Sequence, residues 1–484
     1  MVLDIEVIRQ NPQLVRDSQI KRYKGTDSVE RFIALDSQWR TILYQLTQWR
    51  RVKNLCGQIV GEKKRANEGE GDCEDLPKDL VINLETLTTE YIRTLAIKQI
   101  KRLSGFVDSQ VGQVGEQLIQ IENERDGILY EIGNLVHESV PVSDDEANNI
   151  TERTFGDVET RKPYSHIDLM YRIDGYDGER GAAIAGSRGY FMKGPAVFLE
   201  QAIIQVALKT LSDRGFEVLY TPFFMRKEIM QEVAQLSQFD EELYKVVCKS
   251  DKPGESNDEE KYLIATSEQT IAAFHRDEWM PTDKLPLRYG GISTCFRREA
   301  GAQGRDTRGI FRVHQFEKIE QFCLTAPDDG SSWKLFDEMI GNAEEFNQKL
   351  GIPYRVVNIV SGELNNAAAK KFDLEAWFPG SGKFRELVSC SNCLDYQSRR
   401  LKIRYGQVKK SNEAVKYVHM LNATMCATTR TICAILENYQ TDDGILVPEV
   451  LKPYMPKKYS EKIPFVKDLP TEQQQKPTTT VENK

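Results

Sequence analysis

The chain has little that would suit a membrane-embedded or secreted protein. No apolar run approaches the ~18 residues that a membrane span requires. Its first residues, MVLDIEVIRQ, carry acid at positions 4 and 6 and lack the basic start and apolar core of a signal peptide. A cytoplasmic location without a membrane partner is the expectation. Nine cysteines are scattered over 484 residues, an odd number that suits reduced thiols better than a disulfide framework. Cys390 and Cys393 are the one close pair, and a structural zinc site would want a second pair that is missing. Zinc is therefore not expected. There is no excess of positive charge either. A net charge of −8 argues against indiscriminate nucleic-acid binding, while leaving local basic patches open. No internal repeat is found.

What is present reads as a soluble, globular chain of two or three domains with a large core. Hydrophobic residues make up 40 % and charged residues 29 %, with a mean hydropathy of −0.50. Near the N-terminus, Val107, Val111, Val114, Leu118, Ile121, Arg125, Ile128 and Ile132 alternate spacings of four and three, a heptad seam broken only by Arg125. Upstream, Leu46, Trp49, Val52, Cys56 and Ile59 repeat in the same way after Trp39 and Ile42. The stretch between them, GEKKRANEGEGDCEDLPKD, is polar and glycine-rich. Two long helices folded back as an antiparallel hairpin are expected, the first over roughly 28–66 and about 58 Å long.

That arm has two readings from its residues. One is a dimerisation coiled coil. The other notes its spaced cations, Arg50, Arg51 and Lys53, then Lys63, Lys64 and Arg65 at the tip, and Lys98, Lys101 and Arg102 on the return helix. Spaced cations suit a phosphate backbone, although a charge run is usually only a solvated face. VHESVPVSDDEANN, residues 136–149, looks like a linker, after which glycine-rich strands and aromatic-rich turns mark a separate domain of mixed helix and sheet. Residues 249–261 read as an inserted surface loop. The tail from Lys467, with almost no apolar residues, is expected to be disordered.

The densest chemistry lies in FRREAGAQGRDTRGIFRVHQFEKIEQF, residues 296–322, where five arginines surround a glycine-punctuated loop. Two strands are expected here, at 296–299 and 310–322. Alternate residues of a strand share a face, which groups Arg312, His314, Phe316, Lys318 and Glu320, and pairs Arg297 with Glu299 opposite Phe296 and Arg298. A guanidinium grips phosphate or carboxylate through two bonds, an aromatic ring stacks on a base, and a glutamate holds an ammonium. The set suits a nucleotide and an amino acid side by side. A ladder of exposed salt bridges would account for the same residues without a ligand.

The stretch 296–322 resembles motif 2 of the class II aminoacyl-tRNA synthetases in its seryl form. TTRTICAILENYQ, residues 428–440, resembles motif 3, and GPAVFLEQAIIQVALKTLSDRGFEVLYTP, residues 194–222, resembles motif 1. TSE at 266–268 and FRELVSCSNCLDYQSRR at 384–400 resemble the serine and ATP-metal segments, and HMLNATMCATTRT resembles the eukaryotic cytosolic type. The match runs through nearly the whole chain, arm included. It implies an α+β fold, an N-terminal antiparallel α-helical hairpin followed by a catalytic domain with an antiparallel sheet flanked by helices. The expected divisions are an arm at 1–135, a linker at 136–150, a catalytic domain at 151–466 and a tail at 467–484.

The resemblance also implies roles for residues. Arg297, Glu299 and Arg430 are expected at the chemistry. Arg297 meets the α-phosphate and the serine carboxylate, Glu299 accepts the adenine amino group, and Arg430 meets the γ-phosphate. Thr266, Glu268, Glu320, Asn422 and Thr424 would surround serine. Arg298, Val313, His314, Gln315, Phe316, Glu386, Leu387, Val388 and Ser389 would line ATP, with Phe316 stacked on the base and magnesium on Glu386 and Ser389. Arg50, Arg51, Lys63, Lys64 and Arg65 would contact tRNA, while a homodimer forms through motif 1. No side chain is needed as a nucleophile, because the substrate carboxylate itself attacks ATP. The implied activity makes seryl-adenylate and passes serine to tRNA(Ser), and to selenocysteine tRNA where that RNA exists. The two rivals are a ligase for another amino acid and an inactive paralogue that binds RNA.

Overall fold

In the computed structural model the described residues are 2–77, 82–234, 242–247, 260–300, 306–407 and 414–469. The glycine loop at 301–305, most of the expected insertion (249–259) and most of the expected tail (470–484) lie outside them. Packing divides the chain into two units. One comprises Ile5–Arg16 and Gly25–Ile132, and the other takes in the rest.

The heptad pattern folds as its spacing requires. α1 (Asp27–Arg65) and α2 (Ile97–Leu129) pair along the apolar seam. Leu46, Val52, Cys56 and Ile59 are buried with Ile100, Leu103, Val107 and Val114. Trp49 meets Phe106 edge to face at 6.4 Å, and Lys53 spans the two helices to Asp108 at 2.6 Å. Arg125, which breaks the seam, is buried all the same. Its guanidinium lies 4.6 Å over the Trp39 ring and bonds Asp126 at 2.8 Å. It also approaches the buried Asp36 at 3.7 Å, which Arg9 and Arg40 bind as well. A buried charge must be paired to be tolerated, and this cluster meets that condition.

The second unit is built on an eight-stranded sheet. In chain order the strands are β1 (Ile150–Phe155), β2 (Glu217–Tyr220), β3 (Leu287–Phe296), β4 (Gln315–Thr325), β5 (Tyr354–Asn358), β6 (Lys370–Phe378), β7 (Lys383–Asn392) and β8 (His419–Ala427). Their order across the sheet is β1-β5-β6-β7-β8-β4-β3-β2. Every neighbouring pair is antiparallel except β2 with β3. The expected α+β architecture is thus present, a helical hairpin and a mostly antiparallel sheet flanked by helices.

Strand periodicity sorts the two faces. Ile319 and Cys323 of β4, with Leu421, Ala423 and Met425 of β8, point into a core made with α3 (Pro195–Asp213), α5 (Ser331–Lys349) and α7 (Thr428–Tyr439). Lys318, Glu320, Phe322 and Leu324 of β4 and Met420, Asn422 and Thr424 of β8 take the other face, whereas the register shift between Thr424 and Cys426 leaves Cys426 in the core. Toward the β3 edge, Phe322, Leu324 and Met420 join a second cluster there, and α4 (Ser267–Ala272) packs on β3. Gly291 permits that approach: a β-carbon at this position would lie 2.5 Å from Ile271 Cδ1 and 2.6 Å from Ser267 Oγ.

Three sequence expectations need adjustment. The strand expected at 296–299 ends at Phe296, so Arg297 and Glu299 are not strand neighbours. The strand expected from 310 begins only at Gln315. Ile310, Phe311 and Val313 are buried in the helical-side core instead, which an exposed alternating strand would not allow. Finally, Asp17–Lys24 packs with the sheet unit. The reason is Arg22, buried and donating to the carbonyls of Asn134 at 2.9 Å, Asn365 at 3.0 Å and Ala368 at 2.5 Å. Within the stretch expected as a linker, Val140 is buried against Val357 and Ile359.

Candidate active site

On the open face of the sheet two polar clefts share one side chain. Arg297, Glu299, Phe316, Lys318, Glu386 and Arg430 line the first. Thr266, Glu268, Asn422 and Arg297 line the second. Arg297 belongs to both. It leaves the end of β3 held from two sides: its backbone N–H donates to the His314 carbonyl at 2.9 Å, and its Nε donates to the Ala265 carbonyl at 3.3 Å. The guanidinium lies 5.4 Å over the Phe316 ring. A cation held this way is preorganised for an anion.

In the first cleft Glu299 sits in the left-handed backbone region, φ 52°, where a non-glycine residue is strained. Arg312 holds its carboxylate at 2.8 Å. Arg430 rises from the first turn of α7 and donates to the Glu386 carbonyl at 3.0 Å and its carboxylate at 3.3 Å. A cation beside a helix N-terminus is unfavourable without a nearby anion, and Glu386 supplies one. Next along β7, Ser389 hydrogen-bonds Asp373 across the β6–β7 ladder. Burial drives the Asp373 carboxyl above its ordinary range against the pull of Lys371, and its Oδ1 has no hydrogen-bond partner among the described residues.

The second cleft is walled by short-range devices. The Thr266 hydroxyl caps α4 by accepting from the Glu268 N–H at 3.1 Å. Glu268 accepts from the Gln397 amide at 3.1 Å. Burial, and after it the neighbouring Glu320, raises the Glu268 carboxyl above its ordinary range. Asn422 donates to Cys393 Sγ at 3.6 Å. Behind the two clefts, Glu320 is buried. Lys318 holds it at 2.6 Å and the Thr424 hydroxyl at 3.3 Å. An ammonium therefore occupies Glu320, as expected for serine, but it is the protein's own.

Other expected site residues are placed less directly. Val313 and Leu387 are buried in the core and also line the first cleft, while Val388 is buried in the core alone. Gln315 is exposed. His314 accepts no catalytic geometry here: its Nδ1 bonds the Arg297 carbonyl at 2.8 Å. Arg298 is exposed, its N–H donating to the Glu242 carbonyl. On the arm, Arg50, Arg51, Lys64 and Arg65 are exposed, whereas Lys63 pairs with Glu68 at 2.6 Å. Lys318, Gln397, Asp373 and Cys393 join the site without having been assigned to it from the sequence. The alternation of β4 flagged Lys318, and Cys393 and Gln397 lie within the 384–400 stretch whose resemblance pointed to this site; Asp373 carries no local signal.

A mostly antiparallel sheet with Arg297 just past the end of β3 and Arg430 opening the helix after β8 agrees with the class II aminoacyl-tRNA synthetase catalytic domain that the motifs imply. The family model described as "tRNA synthetase class II core domain (G, H, P, S and T)" matches residues 244–439, and "Seryl-tRNA synthetase N-terminal domain" matches residues 2–96. The "Serine--tRNA ligase, cytoplasmic" of Bos taurus is 59 % identical over 480 residues, covering 98 % of this chain and 93 % of that one. The chain belongs to the seryl-tRNA synthetases. Among solved structures, the cytoplasmic enzyme of Naegleria fowleri in complex with AMP superposes with a TM-score of 0.85 at 47 % identity, covering 96 % of this chain and all of that one. The seryl-tRNA synthetase of Pyrococcus horikoshii complexed with ATP gives 0.81 at 36 %, with the same coverage.

Proposed function

We propose that the chain ligates serine to tRNA(Ser) in the cytoplasm, using ATP. The sharing of Arg297 between the two clefts carries the reading. ATP takes the cleft of Glu299, Phe316, Glu386 and Arg430, and serine takes that of Thr266, Glu268 and Asn422. A serine carboxylate oxygen attacks the α-phosphorus, the new P–O bond forms, and the bond to pyrophosphate breaks. Arg297 lies where the carboxylate and the α-phosphate meet, so it steadies charge that grows in the transition state. Arg430 serves the γ-phosphate. Phe316 offers the ring face to adenine, and Glu299, fixed by Arg312, accepts its amino group. In the second step the terminal ribose hydroxyl of tRNA attacks the seryl carbonyl and AMP leaves.

Glu386 and Ser389 would hold magnesium. The donors are hard oxygens of the kind this ion prefers, and the unpartnered Asp373 Oδ1 beside Ser389 suits such a neighbourhood. When bound with ATP, magnesium offsets the charge of the phosphates. The arm's Arg50, Arg51, Lys63, Lys64 and Arg65 serve the tRNA backbone. A homodimer forms through motif 1. Supporting this, β2 is an edge strand with Val218 and Tyr220 exposed, and Val197 and Phe198 are exposed on α3; an open edge of this kind invites pairing. The inactive-paralogue alternative has no observation in its favour, and Arg297, Glu320, Glu386 and Arg430 are all present in the sequence.

The test is exchange of pyrophosphate into ATP across all twenty amino acids. Serine should exceed alanine by roughly 10⁴-fold, the scale expected when a polar pocket is left unmet. Arg297→Ala should cost about 10²–10³-fold, and Arg297→Lys should rescue poorly, because lysine lacks the planar fork. Near-normal exchange by Arg297→Ala would overturn the assignment of the two clefts.

A further inference from the structure

The serine-side cleft contains a buried acceptor that none of the described residues satisfies. α6 (Tyr396–Leu401) begins just after β7, and its second residue, Gln397, is only 2 % exposed while lining the cleft. The amide is oriented: Nε2 donates to Glu268 Oε1 at 3.1 Å. This direction leaves Oε1 facing away from the carboxylate, and that oxygen has no hydrogen-bond partner among the described residues. The neighbouring Gln269 lines the same cleft, yet its oxygen is used, accepting from the Ala265 N–H at 2.9 Å. Leaving a buried acceptor unmet is costly, and such groups in folded proteins usually have a partner.

We propose that Gln397 is a further recognition residue for the amino acid, its oxygen accepting from an N–H or O–H of the bound substrate while its NH₂ fixes Glu268. Serine offers both donors, three on the ammonium and one on the hydroxyl. The inference rests on assigning the Thr266, Glu268 and Asn422 end to serine. Glu268 gains a defined rotamer from the same amide, so one side chain both contacts the substrate and sets a second contact.

The test uses the full chain and pyrophosphate exchange, with KM for serine and for ATP measured separately. Gln397→Met keeps the length and removes both polar atoms. Its KM for serine should rise about 10- to 100-fold, the range for a hydrogen bond to a charged group, with KM for ATP within about twofold. Gln397→Glu keeps an oxygen at the same reach and should bind serine better than Gln397→Met. A serine-over-alanine ratio that falls in Gln397→Met assigns the acceptor to the hydroxyl; an unchanged ratio with both substrates weakened assigns it to the ammonium. A serine KM near wild type, equal rises for serine and ATP, or a glutamate variant no better than methionine would each overturn the proposal. Thr266→Ala and Asn422→Ala separate the two levels of the argument. If they raise the serine KM and Gln397→Met does not, only the Gln397 inference fails. If neither does, the serine end itself is misassigned.

Discussion

Replacing Glu320 with glutamine should expose how the site is held together before any substrate binds. Lys318 and Glu320 are both buried and 2.6 Å apart. At an effective dielectric constant of about 20, the attraction at that distance is about 6 kcal/mol. Desolvation of the two ions takes back most of it, so the intact pair contributes little net stability. Removing one partner is different, because it strands the other ion without water. Glu320→Gln should therefore cost about 3–5 kcal/mol. Lys318→Met in the same background removes the stranded charge and should recover most of the loss. The measurement is urea denaturation followed by tryptophan fluorescence on the four members of the cycle. A loss below about 1 kcal/mol for Glu320→Gln, or a double variant that merely sums the single effects, would refute the reasoning.

Two further outcomes are expected. Changing Arg50, Arg51, Lys63, Lys64 and Arg65 to glutamine should leave serine-dependent pyrophosphate exchange near wild type. It should also raise the KM for tRNA and flatten the salt dependence of charging; unaltered charging would make the arm a strut. With a thiol reagent and mass spectrometry, exposed Cys73 should be labelled ahead of the seven buried cysteines among the described residues. Burial pushes the thiol of Cys56 up to about 11 and that of Cys426 up to about 12, which depletes the reactive thiolate. Labelling of Cys393 at the rate of Cys73 would contradict the burial of that wall of the serine cleft.

Much of this was legible in the chain, and for a local reason. A heptad reports which helix face is buried, so α1 and α2 could be placed from Leu46, Cys56, Val107 and Val114 alone. A period of two reports which strand residues share a face, and it grouped Phe316, Lys318 and Glu320 correctly. The same rule failed at 296–299 and 310–314, where the hairpin leaves the sheet and Phe311 and Val313 turn into the core. Local pattern cannot say where a strand stops if the residues beyond it are also apolar and charged in turn.

What only the tertiary structure decided are the meetings between distant residues. Arg125 breaks a heptad in the sequence; folding brings Asp36 and Trp39 to it and makes the break a buried ion cluster. Gln397 lies in the motif-like stretch 384–400, but its partner cannot be read there: α4 and α6 bring it to Glu268, 129 residues away. Arg430 finds Glu386 because β8 lies beside β7, and Thr424 reaches Glu320 because β8 lies beside β4. Side-chain period is a property of neighbours along the chain and can be read there. The order of strands is settled by nonlocal pairing, and with it which charges must share one buried space.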